Sequence, residues 1–438
     1  MNKKFILGAG KRIITPPLGT LLYGYPNKRP ADKVNDDLRC NVMAFGYDKV
    51  DSILISMDLC SFPEPIAARL KDEIFNAVGV NQERIIIAAT HTHSGPCLSS
   101  IVGWGDFDTE YFENTLIKNM LCACKEAISN AKEVLLGIGT TESFVGINRR
   151  ELSKEGKIGL GQNPWGAFDP TMTVLSFISA EDKTPVANLI HYGCHGTAAG
   201  HDTPITRDWS GVMVDRMETE SGAFTMYING AEGDVGPRLS NGKTCGDISL
   251  MTELGGIAAT DAVRAYKTIK DYRKVNFSAV TDVIKLPYKE MPTVEELKEQ
   301  IAAMGDPEKF WPFQKLKYST LLKRIEAVEK GDIETYMEIQ QVIFAFNGAV
   351  IVPFGFEVFS EIFLRLKHYS PFAYTLGISN ANAANAYLPS LDQIPRGGYE
   401  VEQFLGRNVF CLMNNTDDNI INENLRLIGK LLDNGHSQ

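Results

Sequence analysis

This 438-residue chain has little basic charge to spare: 44 lysines and arginines face 54 acidic residues, a formal net charge of -10 at pH 7. Nucleic-acid binding needs clustered Lys and Arg, so the balance argues against such a partner. Apolar runs are short, and none approaches the ~18 residues of a membrane span, so no stable membrane insertion is expected. The opening Met1-Asn2-Lys3-Lys4-Phe5-Ile6-Leu7 runs straight into Gly8-Ala9-Gly10-Lys11-Arg12, which argues against a cleaved signal peptide. The eight cysteines lack the spacing of a disulfide framework, and Cys122-x-Cys124 is too tight for a metal-binding pair. They read as mostly buried free thiols in a reducing compartment, hence a cytoplasmic protein. Internal repeats, low-complexity tracts and flexible linkers are also missing.

What is present suits a large core: 44% of residues are hydrophobic and 22% charged. Strand-like runs recur at 53–57, 84–89, 173–178, 188–192, 224–228, 349–352 and 374–378. Helical periodicity lies between several of them, at 66–77, 111–131, 213–220, 252–265 and 357–366. This alternation predicts an α/β fold with a mixed β-sheet core flanked by helices. Residues 292–341 differ, being rich in Glu and Lys. They read as two or three amphipathic helices, with Thr293 and Glu296 forming a capping box at the start. One domain over 1–438 with a helical insertion at 292–341 is the expected division.

Two histidine clusters close strands. The first, Thr90-His91-Thr92-His93-Ser94-Gly95-Pro96, follows Ile85-Ile86-Ile87. On an extended backbone His91 and His93 point to one side, at the mouth of a sheet. The second is His191-Tyr192-Gly193-Cys194-His195-Gly196. Its glycines argue against a helix, so His191 and His195 should have different surroundings. Five of the seven histidines fall in 91–93 and 191–201. Catalytic zinc commonly takes three protein ligands and leaves one position open, and His91 and His195 could supply two of them. A loop with satisfied polar edges is the plainer alternative. Glu232 and Asp234, in the Gly-rich loop Asn229 to Arg238, could be ligands or orient them. Glu357, placed at the first turn of a helix, could favour the helix dipole or reach a metal. Tyr387 and Tyr399 bracket a Pro/Gly loop.

In order and rough spacing these segments resemble the neutral/alkaline non-lysosomal ceramidase family. The likeness includes the opening Gly8-Ala9-Gly10-Lys11-Arg12-Ile13-Ile14-Thr15-Pro16-Pro17, the Thr90 to Pro96 motif, His195, the Gly-Asp-Val loop, Glu357 and the Tyr387/Tyr399 pair. The resemblance implies a Zn²⁺ site held by His91, His195, Glu357 and Tyr387. It implies that His93 and Tyr399 face the reacting carbonyl and that Arg149, or its neighbour Arg150, contacts substrate. Asp234 is a candidate for orienting a ligand histidine. Two departures stand out. Gly236 takes the place of a family serine, and no C-terminal immunoglobulin-like domain is expected after the helical 422–432.

The function expected is metal-assisted hydrolysis of an N-acyl amide, with water as the attacking group. The small-molecule substrate is ceramide or, in better accord with the acidic charge, a smaller soluble amide. Two alternatives remain at this point: a metal-independent serine hydrolase using Ser94, and a catalytically silent binding homologue. Nothing in the sequence sets the oligomeric state.

Overall fold

A computed structural model describes residues 3–26, 28–100 and 105–433. Its strands are β1 (Phe5–Ile13), β2 (Arg39–Tyr47), β3 (Ser52–Met57), β4 (Ile85–Ala89), β5 (Lys132–Glu142), β6 (Thr171–Ser179), β7 (Pro185–Tyr192) and β8 (Phe224–Asn229). These eight line up in the order β8-β7-β6-β5-β1-β2-β3-β4, with a short ninth strand beside β5. A second sheet runs β9 (Phe277–Pro287), β10 (Tyr336–Phe346), β11 (Ala349–Pro353) and β12 (Tyr374–Ile378). Most neighbours are antiparallel, but β3–β4, β7–β8 and β11–β12 are parallel.

Alternation along the strands sorts side chains into layers. Phe5 and Leu7 of β1, Met43 and Phe45 of β2, and Val342, Phe344 and Phe346 of β10 share one apolar cluster between the sheets. The intervening Val42, Ala44, Ile53 and Ile55 face α1 (Glu64–Val78) and α2 (Ile117–Ser129). Val174 and Ile190 face α3 (Asp208–Ser221) and α4 (Ile248–Lys267). The expected mixed-sheet core is thus two sheets stacked face to face, with helices on the outer faces.

The expected helical insertion holds α5 (Val294–Met304) and α6 (Pro312–Lys330), and the Thr293–Glu296 capping box is formed. It ends earlier than the sequence suggested. Residues 336–341 begin β10, pairing with β9 from Tyr336↔Pro287 to Gln341↔Asp282. Met337 and Ile339 alternate with polar neighbours there, a period of two that the Glu-rich composition masks. Glu357 also departs from expectation. It stands in a two-residue strand before α7 (Ser360–Tyr369), not in a helix. The last helices are α8 (Tyr399–Gly406) and α9 (Thr416–Asp433); α7 and α9 cover the outer face of the second sheet through Ile343, Ala345 and Val352. Among the described residues no helix is long and apolar enough to cross a membrane.

The glycines of the opening segment have a packing reason. A Cβ on Gly10 would stand 2.2 Å from the Ala123 carbonyl oxygen of α2, so only glycine lets this helix approach β1. Gly10→Ala should therefore lower unfolding free energy by about 2–3 kcal/mol, the upper range for overpacking. Urea denaturation measures it, and a loss under ~0.5 kcal/mol would contradict so close an approach.

Candidate metal centre

The loops leaving the parallel pairs are stitched together across both sheets. His91 N–H donates to Leu59 O at 2.9 Å, Ala89 N–H to Asn380 O at 3.2 Å, and Ser379 N–H to Asn229 O at 3.1 Å. Open α/β sheets place ligand sites at such strand ends. His91 sits here with φ +68°, so it is not extended as its spacing suggested. A left-handed histidine is a backbone strain that surrounding bonds must hold, and such strain gathers at functional sites. Glu357 and Tyr387 are brought together differently. Their two-residue strands pair in parallel with Glu357 directly opposite Tyr387.

The ligand set implied by the resemblance converges. Glu357 Oε2 is 3.4 Å from His91 Nε2 and 3.2 Å from His195 Nε2, and the Tyr387 hydroxyl is 3.4 Å from His195 Nε2. The outer nitrogens fix the tautomers. His91 Nδ1 lies 2.8 Å from the Cys60 carbonyl and His195 Nδ1 lies 2.7 Å from the Glu232 carbonyl. A carbonyl only accepts, so each Nδ1 carries the proton and each Nε2 presents a lone pair. Two lone pairs and a carboxylate oxygen that has no hydrogen-bond partner thus meet in a buried space. Such acceptors repel unless a cation lies among them, and the N/O donor set suits Zn²⁺. The residues present fit the ion. Cys60 and His93 also lie near His91, but the nitrogen of His91 that faces the thiol is already bonded to a carbonyl.

Burial alone would raise the Glu357 pKa, yet His91 and His195 outweigh it and hold this carboxyl well below its usual range. Burial pushes His195 down to about 3, helped by Arg149. It also drives His93 well below the usual imidazole value, with His91 and His195 acting in the same direction. At His91 burial would lower the pKa, but Cys60 and Glu357 outweigh it and raise it. Glu232 is pushed up to about 8, chiefly by burial. Burial lifts the Tyr387 phenol well above its usual value while Arg149 works against it.

His93 and Tyr399 join His91, Glu357 and Tyr387 around one cavity of about 30 Å³. His93 Nε2 is 3.3 Å from His91 Nε2, and its Nδ1 is buried without a partner. Its ring is wedged against Gly24, where φ is +112° and a Cβ would come within 2.4 Å. Phe313 of α6 packs edge-on against Tyr399 at 5.2 Å, and Leu316 of the same helix closes the cavity.

Other candidates stand elsewhere. Arg149 does not line the cavity; it donates to Tyr387 at 3.1 Å and to Glu400 at 2.8 Å. Arg150 holds the other oxygen of Glu400 at 2.7 Å. Asp234 does not orient a histidine: it accepts from Ser360 and Asn148, because the Gly233–Asp234 turn carries it toward α7. Among the described residues no hydrogen bond joins the Ser94 hydroxyl to a histidine, so the arrangement of a serine hydrolase is not formed. His191 bonds Gly377 O and packs on Phe363, apart from His195. At Gly236 the Thr244 side chain fills the space, 2.7 Å from where a Cβ would stand. Sequence reasoning missed Cys60, Asn380 and Glu400. Glu400 adjoins Tyr399 and could have been suspected; Asn380, which donates to Glu232 at 2.7 Å, carried no pattern.

One divalent ion per chain should bind. Glu357→Gln and His195→Ala should each cut zinc affinity by more than the ~10–100-fold that losing an outer hydrogen-bond partner costs. His93→Ala should leave it nearly intact. Elemental analysis after dialysis against limiting zinc reads this, and equal loss in all three variants would refute the division of roles.

No family model and no curated protein matches the sequence. Solved structures do. The chain superposes on neutral ceramidase from Pseudomonas aeruginosa with a TM-score of 0.76 at 15% identity, covering 100% of this chain and 76% of that one. A structure described as ceramidase complexed with C2 gives 0.75 at 15% identity, covering 99% and 76%. The chain has the fold of the neutral ceramidases.

Proposed function

We propose that the protein is a metal-dependent hydrolase of N-acyl amides, with zinc held by His91, His195, Glu357 and Tyr387. One observation carries the reading. Two lone-pair nitrogens, an unpartnered carboxylate oxygen and a phenol oxygen meet beside a cavity that also exposes His93 and Tyr399. The amide as the bond cleaved rests on the likeness to ceramidase structures. A zinc ion bound there supplies Lewis acidity and brings the pKa of water toward ~7.

The chain's own groups divide the remaining work. His93 is kept neutral by burial, and its Nε2, which faces His91, can take a proton and pass it to the leaving amine. Burial keeps the Tyr399 phenol protonated, so it donates a hydrogen bond to the carbonyl oxygen as that atom gains charge. Arg149 is a positioning residue: clamped by Glu400, it donates to the Tyr387 oxygen and fixes its place. The eight unpaired cysteines support work in a reducing compartment. The net charge of -10, unfavourable for approaching anionic lipid, supports short or polar amides over long-chain ceramide.

Turnover of short N-acyl amides should vanish with chelator and return with zinc. His93→Ala and Tyr399→Phe should each lose ~10²-fold or more in kcat at unchanged metal content. Short amides should outrun detergent-solubilised long-chain ceramide. Esterase activity that ignores chelator and dies with Ser94→Ala would establish the serine hydrolase instead. Stoichiometric zinc with no hydrolysis of amides or esters would establish a binding protein.

A further inference from the structure

Resting on that reading, we infer that Arg407 is the substrate-recognising cation of this pocket, and that the amides it takes carry a carboxylate. Tyr399, Gln403 and Arg407 recur every four residues along α8 and its C-terminal cap, and all three line the cavity that holds His91 and Glu357. One helix face therefore delivers a phenol, an amide and a guanidinium to the same small space.

The buried arginines are occupied. Arg149 and Arg150 share Glu400, and Arg207 is held by Asp36 and Asp215. Arg29 bonds the carbonyls of Tyr23, His93 and Asp202, and Arg324 those of Leu405, Asn408 and Val409. The Arg407 guanidinium differs. Among the described residues it forms no ion pair and donates to no backbone carbonyl; its one side-chain hydrogen-bond partner is the uncharged Tyr23 hydroxyl. Glu357 acts on it only through space, without an ion pair between them. Arg407 is half-buried at the edge of the cavity and has no counter-charge of its own, so a bound anion can pair with it there. A planar fork with a single charge matches one carboxylate. Since Arg407 and the ligand side chains share one cavity, the carboxylate and the scissile amide belong to one small molecule.

Zinc-loaded protein is assayed with N-hexanoylglycine, whose carboxylate is on the amine side, with N-hexylsuccinamate, whose carboxylate is on the acyl side, and with neutral N-hexanoylethanolamine. At least one acid should exceed the neutral amide in kcat/KM by ~10-fold or more, as a charge-assisted contact implies. Arg407→Gln should bring that ratio near one, mainly through KM, and Arg407→Lys should fall between. Zinc content of each variant reports whether it folds. A wild-type ratio near or below one, or a ratio unchanged in Arg407→Gln, overturns the proposal. Calorimetric titration with the two acids separates it from the hydrolase reading. Binding that is lost in Arg407→Gln, without turnover of any amide, keeps the anion site and rejects the hydrolase; no binding to wild type rejects the anion site.

Discussion

Two hydrogen bonds from imidazoles to backbone carbonyls decide what this protein can do. The carbonyls of Cys60 and Glu232 each take the Nδ1 proton of a histidine, and so each Nε2 must face inward as a lone pair. Side-chain partners could have rotated or changed protonation; a carbonyl offers neither freedom. Both carbonyls belong to loops that leave strand ends, Cys60 after β3 and Glu232 after β8. The electronic state of the site is thereby set by the course of the main chain. Asn380 adds a third tie, donating to Glu232 from the second sheet.

The site lies on the seam between the sheets. His91 and His195 come from the larger sheet, while Glu357 and Tyr387 follow strands of the smaller one. Their separation therefore depends on how the sheets stack. Phenylalanines fix that stacking: Phe45 meets Phe277, Phe344 and Phe346 at centroid distances of 5.2, 5.4 and 5.2 Å, all near edge-to-face. Each such pair contributes ~0.5–1.5 kcal/mol beyond its buried area and favours one mutual angle. An interior of rings thus serves as a spacer for polar chemistry at its rim.

Much of this was legible in the chain, for identifiable reasons. Apolar runs such as Ile85-Ile86-Ile87 are buried on both faces, and their length shows whatever the partner strands are. The histidine segments stood out because the residue type is rare and clustered. What stayed hidden was non-local. That the core is two stacked sheets depends on pairings such as β9 with β10, whose strands are separated by the whole of α5 and α6. The period of α7 extends to Glu357 and suggests a helix there, while its pairing with Tyr387 across thirty residues leaves no local trace. Arg149 was expected at the substrate, and only Glu400, 251 positions away, shows it to be tied up.

The helices that interrupt the second sheet give the molecule a separable gatekeeper. The proposed metal ligands sit on loops and two-residue strands pinned between the sheets, whereas Phe313 and Leu316 belong to α6, which Arg324 ties to the carbonyls of Leu405, Asn408 and Val409. Chemistry and admission are thereby encoded on different stretches of chain. Changes in one surface helix can retune which molecules enter while the reacting centre stays as it is, so a lineage built on this scaffold can diverge in diet without relearning its reaction.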